Sequence, residues 1–259
     1  MKRLSRREFL LTAAISAAAT ATAIAVPSVA NAALKEKKSG KSGRKIHLKK
    51  DAVILFQGDS ITDYGRRREV TTFNSPEALG YGYASRIASS LALNYAALTP
   101  RIYNRGVSGD KVYQLRDRWQ TDCYDLQPDV LSVLIGVNDF WHAIEGHYDG
   151  TPEVYRRDYL ALMEQTRDRL PDTQLVICEP YAINGVKAVT DAWYPQFDEI
   201  RAAAREVADL YADVFVPFQS VFDRALEVAP ASYWTADGVH ANLAGSQLMA
   251  HAWLEATGL

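Results

Sequence analysis

Beyond residue 50, short apolar runs alternate with stretches of helical period, and that alternation leaves few folds open. Ala52–Phe56 and Val130–Ile135 are nearly unbroken apolar runs, the pattern of strands buried on both faces. Arg101–Asn104, Gln174–Cys178 and Asp213–Val216 are further strand candidates. Helical periods lie around Tyr81–Leu93, Lys111–Leu126, Pro152–Leu170, Gln196–Tyr211, Ser220–Ala229 and Leu243–Ala256. Pro128 and Pro171 stop the second and third of these, because a proline disfavours helical backbone in the residue before it. Repeating β-α units predict an α/β fold: a three-layer α/β/α sandwich around a flavodoxin-like open parallel sheet of about five strands, rather than a barrel. No internal sequence repeat is visible.

A length of 259 residues suits one such domain and is short for two. The formal net charge of -2 conceals an uneven distribution. Residues 1–32 carry four Lys/Arg against one Glu, and residues 33–50 carry eight against one, which leaves -12 on residues 51–259. An acidic body gives no reason to expect nucleic-acid binding. Two cysteines rule out a disulfide framework and a cysteine-built zinc site. Cys123 and Cys178 are expected as two buried thiols rather than a bridge.

Residues 1–32 read as an export address. Ser5-Arg6-Arg7-Glu8-Phe9-Leu10 precedes an Ala- and Thr-rich run that ends at Ala30-Asn31-Ala32, a small-x-small cleavage pattern. The paired arginines resemble a twin-arginine signal, so the mature chain is expected to start near Ala33, outside the cytoplasm, with no membrane span left after processing. Residues 33–50, rich in Lys, Ser and Gly, are expected to be a flexible basic linker, and 51–259 the folded domain.

In an open parallel sheet, ligands bind beyond the carboxyl ends of the strands. Four segments there carry chemistry. Gly58-Asp59-Ser60-Ile61 follows the first strand, Gly106-Val107-Ser108-Gly109-Asp110 the second, and Gly136-Val137-Asn138-Asp139 the third. Asp237-Gly238-Val239-His240 precedes the last helix. Each alone is weak, since Asn-Asp pairs and surface histidines are mostly caps, turns and solvated groups. Their order and placement together point to acyl transfer. Serine needs a base to take its proton, and His240 is the candidate; Asp237 would fix the imidazole tautomer. The Ser60 N–H, the Gly109 N–H and the Asn138 amide supply three donors for an oxyanion. No cofactor or metal is required by this set.

As a set, these segments resemble the four sequence blocks of the SGNH (GDSL) hydrolase superfamily across about residues 51–256. The resemblance implies Ser60 as nucleophile, Asp237 and His240 as its partners, and Gly109 and Asn138 as oxyanion donors. The Gly-x-Ser-x-Gly elbow of the α/β-hydrolases is absent. Ser60–Arg66, Gly80–Tyr83, Arg118-Trp119 and Gly136–Trp141 are similar to the acetylxylan-esterase-like branch of carbohydrate deacetylases. That branch often carries Trp directly before the aspartate, where Ala236 stands here and Trp234 lies three residues before; Ala241 follows the histidine where proline is common. The implied activity is an exported serine esterase acting on short acyl, above all acetyl, esters of carbohydrate. A lysophospholipase- or thioesterase-like enzyme and a non-catalytic carbohydrate-binding protein are the alternatives.

Other residues are expected to be structural. Trp141, Trp193, Trp234, Tyr81 and Tyr83 are read as packing aromatics rather than a sugar platform. His142, His147 and Asp149 fit no common metal spacing and are assigned to a mobile loop after the third strand. Asp59, Asp63 and Asp139 are read as loop-fixing acceptors, and Arg66, Arg67 and Arg68 either as a solvated loop or as a contact for an acidic substrate.

Overall fold

The computed structural model describes residues 45–259. The expected signal over 1–32 and the start of the expected linker lie outside the described residues.

Five parallel strands form one sheet: β1 (Val53–Gly58), β2 (Arg101–Asn104), β3 (Val130–Leu134), β4 (Gln174–Cys178) and β5 (Val214–Val216), in spatial order β2-β1-β3-β4-β5. This is the flavodoxin-like order expected from the sequence. The chain moves outward from β1 to one edge, then returns past it to the other, so the strand order reverses between β1 and β3. Adjacent carboxyl ends diverge there and leave a crevice. Every residue of β1 and β3 is buried, which is why both read as apolar runs rather than as alternating ones. The two polar side chains inside them are satisfied: Gln57 donates to the Asp122 carbonyl (2.7 Å), and Ser132 accepts from the Trp253 indole (3.0 Å).

The helices are α1 (Ser60–Asp63), α2 (Pro76–Leu79), α3 (Tyr83–Asn94), α4 (Val112–Asp122), α5 (Val137–Ile144), α6 (Pro152–Arg169), α7 (Gln196–Tyr211), α8 (Phe218–Leu226), α9 (Ala231–Trp234) and α10 (Leu243–Thr257). Helices α3 and α10 pack together, as do α4, α6 and α7 in series, which gives the two outer layers. Local chemistry sets their ends. Thr151 caps α6 through the Val154 N–H with Pro152 in the first turn, and Asn242 caps α10 through the N–H groups of Ala244 and Gly245. Gly258 closes α10 in the left-handed conformation.

Two expectations need correction. Val137–Ile144 is helix α5 rather than a loop. The linker also ends earlier than expected, because residues 45–50 are seated on the domain. Ile46 is buried and donates its N–H to Thr257 O (2.9 Å), His47 and Gln174 exchange two hydrogen bonds of 2.8 Å, and Lys49 pairs with Asp129 at 2.6 Å. Ile46 and Leu48 bury apolar area that the lysines around them disguise in the sequence.

Cys123 and Cys178 are free and buried, and burial pushes both thiols up, Cys178 to about 12. Among the described residues no helix is long and apolar enough to cross a membrane, and no cluster of three or more His, Cys, Asp or Glu is placed to hold a metal ion.

Candidate active site

The turn after β1 places Ser60. Gly58 has φ +156°, and a Cβ there would lie 2.2 Å from the Leu134 carbonyl of β3, so only glycine lets the two strands end this close. Asp59 follows and accepts the Ile61 N–H (2.9 Å), which starts α1 at Ser60. Ser60 is half-buried at the head of that turn.

The partner groups come from the loop before α10. A bridge between Thr235 and Ala241 closes this loop, with the Ala236 N–H donating to His240 O (3.1 Å) and the Thr235 hydroxyl to the same oxygen (2.9 Å). Gly238, at φ +98°, lets the chain reverse against Ile183 and Val189. The Tyr181 hydroxyl donates to Val239 O (2.7 Å), and the Tyr64 hydroxyl donates to Ala241 O. Asp237 Oδ1 accepts the N–H groups of Val239 (2.9 Å) and His240 (2.7 Å), and Oδ2 lies 2.7 Å from His240 Nδ1. Burial pushes the Asp237 carboxyl up, but these hydrogen bonds outweigh it and hold the group below its ordinary value. An ionised carboxylate on Nδ1 fixes the proton there. The lone pair of His240 Nε2 is then directed at Ser60 Oγ, 2.8 Å away.

The loops after β2 and β3 complete the crevice. Gly109 has φ +88° and open space where a side chain would stand, so its backbone faces a clear volume. Asn138, in the first turn of α5, is buried and donates one amide hydrogen to Asp110 O (3.2 Å). That bond ties the third loop to the second. Each of the five site residues expected from the sequence thus stands beyond the carboxyl end of the sheet, in a loop or the first turn of a helix, or on the loop before α10, with Ser60, His240 and Asp237 hydrogen-bonded in a row.

The neighbouring carboxylates hold loops, as expected. Asp63 accepts the Ser108 N–H (3.0 Å) and hydroxyl (2.7 Å), joining the first loop to the second. Asp139 accepts the Val112 N–H (3.3 Å). Burial raises both Asp59 and Asp139 to about 7, and each keeps one buried oxygen without a partner. The arginine run divides. Arg67 and Arg68 are exposed, whereas Arg66 is buried and donates to Gly106 O (2.8 Å), so that residue is no part of a solvated loop.

Trp193, Trp234 and Tyr83 are buried in the core, as expected for packing aromatics, and Tyr81 is exposed against Tyr64. Trp141 is different. Its ring stands 5.7 Å from Trp193 and 6.4 Å from His240, which makes it a half-buried wall of the site. His142 lies one turn beyond Asn138 on α5 and accepts or shares a proton with Lys111 Nζ at 3.0 Å; burial, and then that ammonium, holds its pKa down. Lys111 is itself buried and reaches Gly109 O (3.4 Å) and Gln114 Oε1 (3.2 Å). Its part was missed, and a lysine directly after Gly109-Asp110 was the only signal. An apolar cavity of about 440 Å³ lined by Val228, Tyr233, Trp234, Leu248 and His251 contains none of the site residues.

Residues 56–248 match the model of the GDSL-like lipase/acylhydrolase family. An acetylxylan esterase from Geobacillus stearothermophilus is 30% identical over 210 residues, spanning 79% of this chain and 93% of that protein. A crystal structure of an acetylxylan esterase from the same organism superposes with a TM-score of 0.74 at 28% identity, covering 83% of this chain and 97% of the other. A protein from Parabacteroides merdae described as a GDSL-like lipase superposes with a TM-score of 0.81 at 55% identity, over 83% and 99% of the two chains. With the fold, the order of the four loops and this match in agreement, the chain belongs to the GDSL-like lipase/acylhydrolase family of the SGNH superfamily and is a carboxylic ester hydrolase.

Proposed function

We propose that this esterase is exported and removes short acyl groups, acetyl foremost, from carbohydrate through an acyl-enzyme. The row Ser60 Oγ–His240 Nε2–His240 Nδ1–Asp237 Oδ2, with steps of 2.8 and 2.7 Å across its two hydrogen bonds, carries the mechanistic reading. Ser60 Oγ attacks the ester carbonyl carbon while its proton passes to His240 Nε2. The negative charge that develops on the carbonyl oxygen meets the Ser60 and Gly109 N–H groups and the free hydrogen of the Asn138 amide. Collapse breaks the C–O bond, His240 returns the proton to the departing sugar hydroxyl, and Ser60 keeps the acyl group. Water then repeats the sequence, giving up its proton to His240 as it attacks, and releases acetate. Asp237 stabilises the imidazolium in both halves.

The acetylxylan esterase from G. stearothermophilus supports the acetyl-carbohydrate reading, and the Trp141 wall beside His240 offers an aromatic face of the kind sugars stack on. The paired Arg6-Arg7 and the Ala30-Asn31-Ala32 pattern support export.

Hydrolysis of p-nitrophenyl acetate, butyrate and octanoate, alongside acetylated xylan and lysophospholipid, tests the substrate class. kcat/KM should fall steeply from acetyl to octanoyl, with acetate released from the xylan. A lipolytic groove gains about 0.8 kcal/mol per buried CH₂, roughly fourfold per carbon, and gives the reverse trend. Best turnover of octanoyl or lysophospholipid esters would refute the carbohydrate reading and leave the acyl-enzyme intact.

A further inference from the structure

The three proposed oxyanion donors stand on three separate loops, after β1, β2 and β3. Nothing in a strand's own hydrogen bonding fixes the distances between such loops. Preorganised donors are effective only if that triangle is held before substrate arrives. One side chain holds the first two directly and the third through a single intermediary. Arg118, in the middle of α4, donates from Nη2 to Gly58 O (3.3 Å), two residues before Ser60. Its Nη1 donates to Arg105 O (2.8 Å), at the end of β2, and to Gln57 Oε1 (2.9 Å) and Asp122 Oδ2 (3.0 Å). Its Nε donates to Asp110 Oδ2 (2.7 Å), in the residue that follows Gly109. Asp110 then passes the constraint on, because its backbone carbonyl holds the Asn138 amide.

We propose that Arg118 is the positioning residue of the oxyanion hole: a single guanidinium that sets where Ser60 N, Gly109 N and Asn138 Nδ2 stand relative to one another. The inference rests on the oxyanion role proposed for Asn138 and Gly109. Arg118 does not touch substrate. Its planar fork is what the place requires, since the acceptors lie in different directions around one group and a lysine ammonium cannot reach them together. The side chain is mostly covered and lies between two carboxylates, so its charge is compensated where it stands. Gln57, whose amide nitrogen holds Asp122 O, braces the same cluster from inside β1.

Steady-state kinetics on p-nitrophenyl acetate with Arg118→Met, Arg118→Lys, Asn138→Ala and the Arg118→Met/Asn138→Ala double variant test this, with thermal melts to confirm folding. Arg118→Met should lower kcat by about 10- to 100-fold and leave KM within about threefold, and Arg118→Lys should recover only part of the loss. In the double variant, losing Arg118 should cost clearly less than it does alone, because the Asn138 donor cannot be lost twice and only the Ser60 and Gly109 N–H groups remain to be misplaced. Should Arg118→Met fail to fold, Asp110→Ala removes the partner of Nε and keeps the carbonyl that binds Asn138. It should also lower kcat, and again cost less on top of Asn138→Ala than it does alone. Wild-type kcat in Arg118→Met or Asp110→Ala, or losses that multiply fully with Asn138→Ala, would overturn the proposal and spare the oxyanion reading. Wild-type kcat in Asn138→Ala itself would remove that reading and this proposal with it.

Discussion

The two halves of the site are built differently. The proposed oxyanion half, after β1, β2 and β3, has half-buried Ser60 and Gly109 above a buried layer of Asp59, Asp110, Asn138 and Asp139, and is cross-linked by charge: Arg118 with Asp110 and Asp122, and Asp63 with Arg68. The base half, Thr235–Ala241, is a small backbone-bonded loop whose His240 and Asp237 side chains remain 30% and 25% exposed. The difference follows from the tasks. Donors that meet a developing charge gain most in a water-poor, preorganised setting. A base that passes protons between serine, alcohol and water must stay within reach of solvent. Its geometry can therefore be set by short-range hydrogen bonds, whereas the donors depend on groups distant in the chain.

Ser60 joins the halves, so its removal should have the largest effect. Ser60→Ala should abolish nearly all esterase activity, with the melting temperature close to wild type because Ser60 sits at a loop head outside the core. A fluorophosphonate probe should label wild type at Ser60, and labelling of Ser60→Ala at a comparable rate would count against the nucleophile. Asn138→Ala isolates the oxyanion half. kcat should fall by about a hundredfold to a thousandfold with KM little changed, the usual cost of one lost donor. A change confined to KM would mean that Asn138 binds ground-state substrate instead, and the contrast between the halves would lose its mechanistic meaning.

How much of this was legible in the sequence follows the same division. Arg101–Asn104, Gln174–Cys178 and Gln196–Tyr211 appear in the structure at the bounds their pattern predicts, because each is a periodic run with a clear break at its ends. Asp237 and His240 are three residues apart, so their pairing was readable from one turn of chain. Helix α5 was not. It spans eight residues, opens at Gly136 with φ +130° and no side-chain cap, and contains an Asn-Asp pair that favours turns. The docking of residues 45–50 depends on Gln174, 127 positions away from His47. Arg118 was visible as part of a family-like Arg-Trp pair, but its contact with Gln57 spans 61 positions and no local pattern encodes it. Trp234 does not stand in for the tryptophan often found next to the aspartate. It is buried in the core, and its indole donates to Ala225 O and Ala229 O.

The buried carboxylates beneath the oxyanion half provide the smallest effect and the most specific check on its dryness. Asp59 is raised to about 7 by burial first and by the neighbouring Asp139 and Asp110 charges after it, and burial raises Asp139 to about 7 as well. In the unfolded chain both titrate near 4. Between those values the folded state holds protons that the unfolded state releases, so the stability contributed by the protonated forms is complete below about pH 4 and is lost as pH rises to about 7. Asp139→Asn keeps the oxygen that accepts the Val112 N–H and never ionises. Its stability should therefore match that of wild type near pH 4 and exceed it at pH 8 by on the order of 2–4 kcal/mol, or several degrees in Tm. Thermal melts of both proteins at pH 4 and pH 8 measure the difference. An Asp139→Asn variant destabilised equally at both values would mean that the carboxylate is already ionised and compensated in the fold, and that the oxyanion half is wetter than its burial implies.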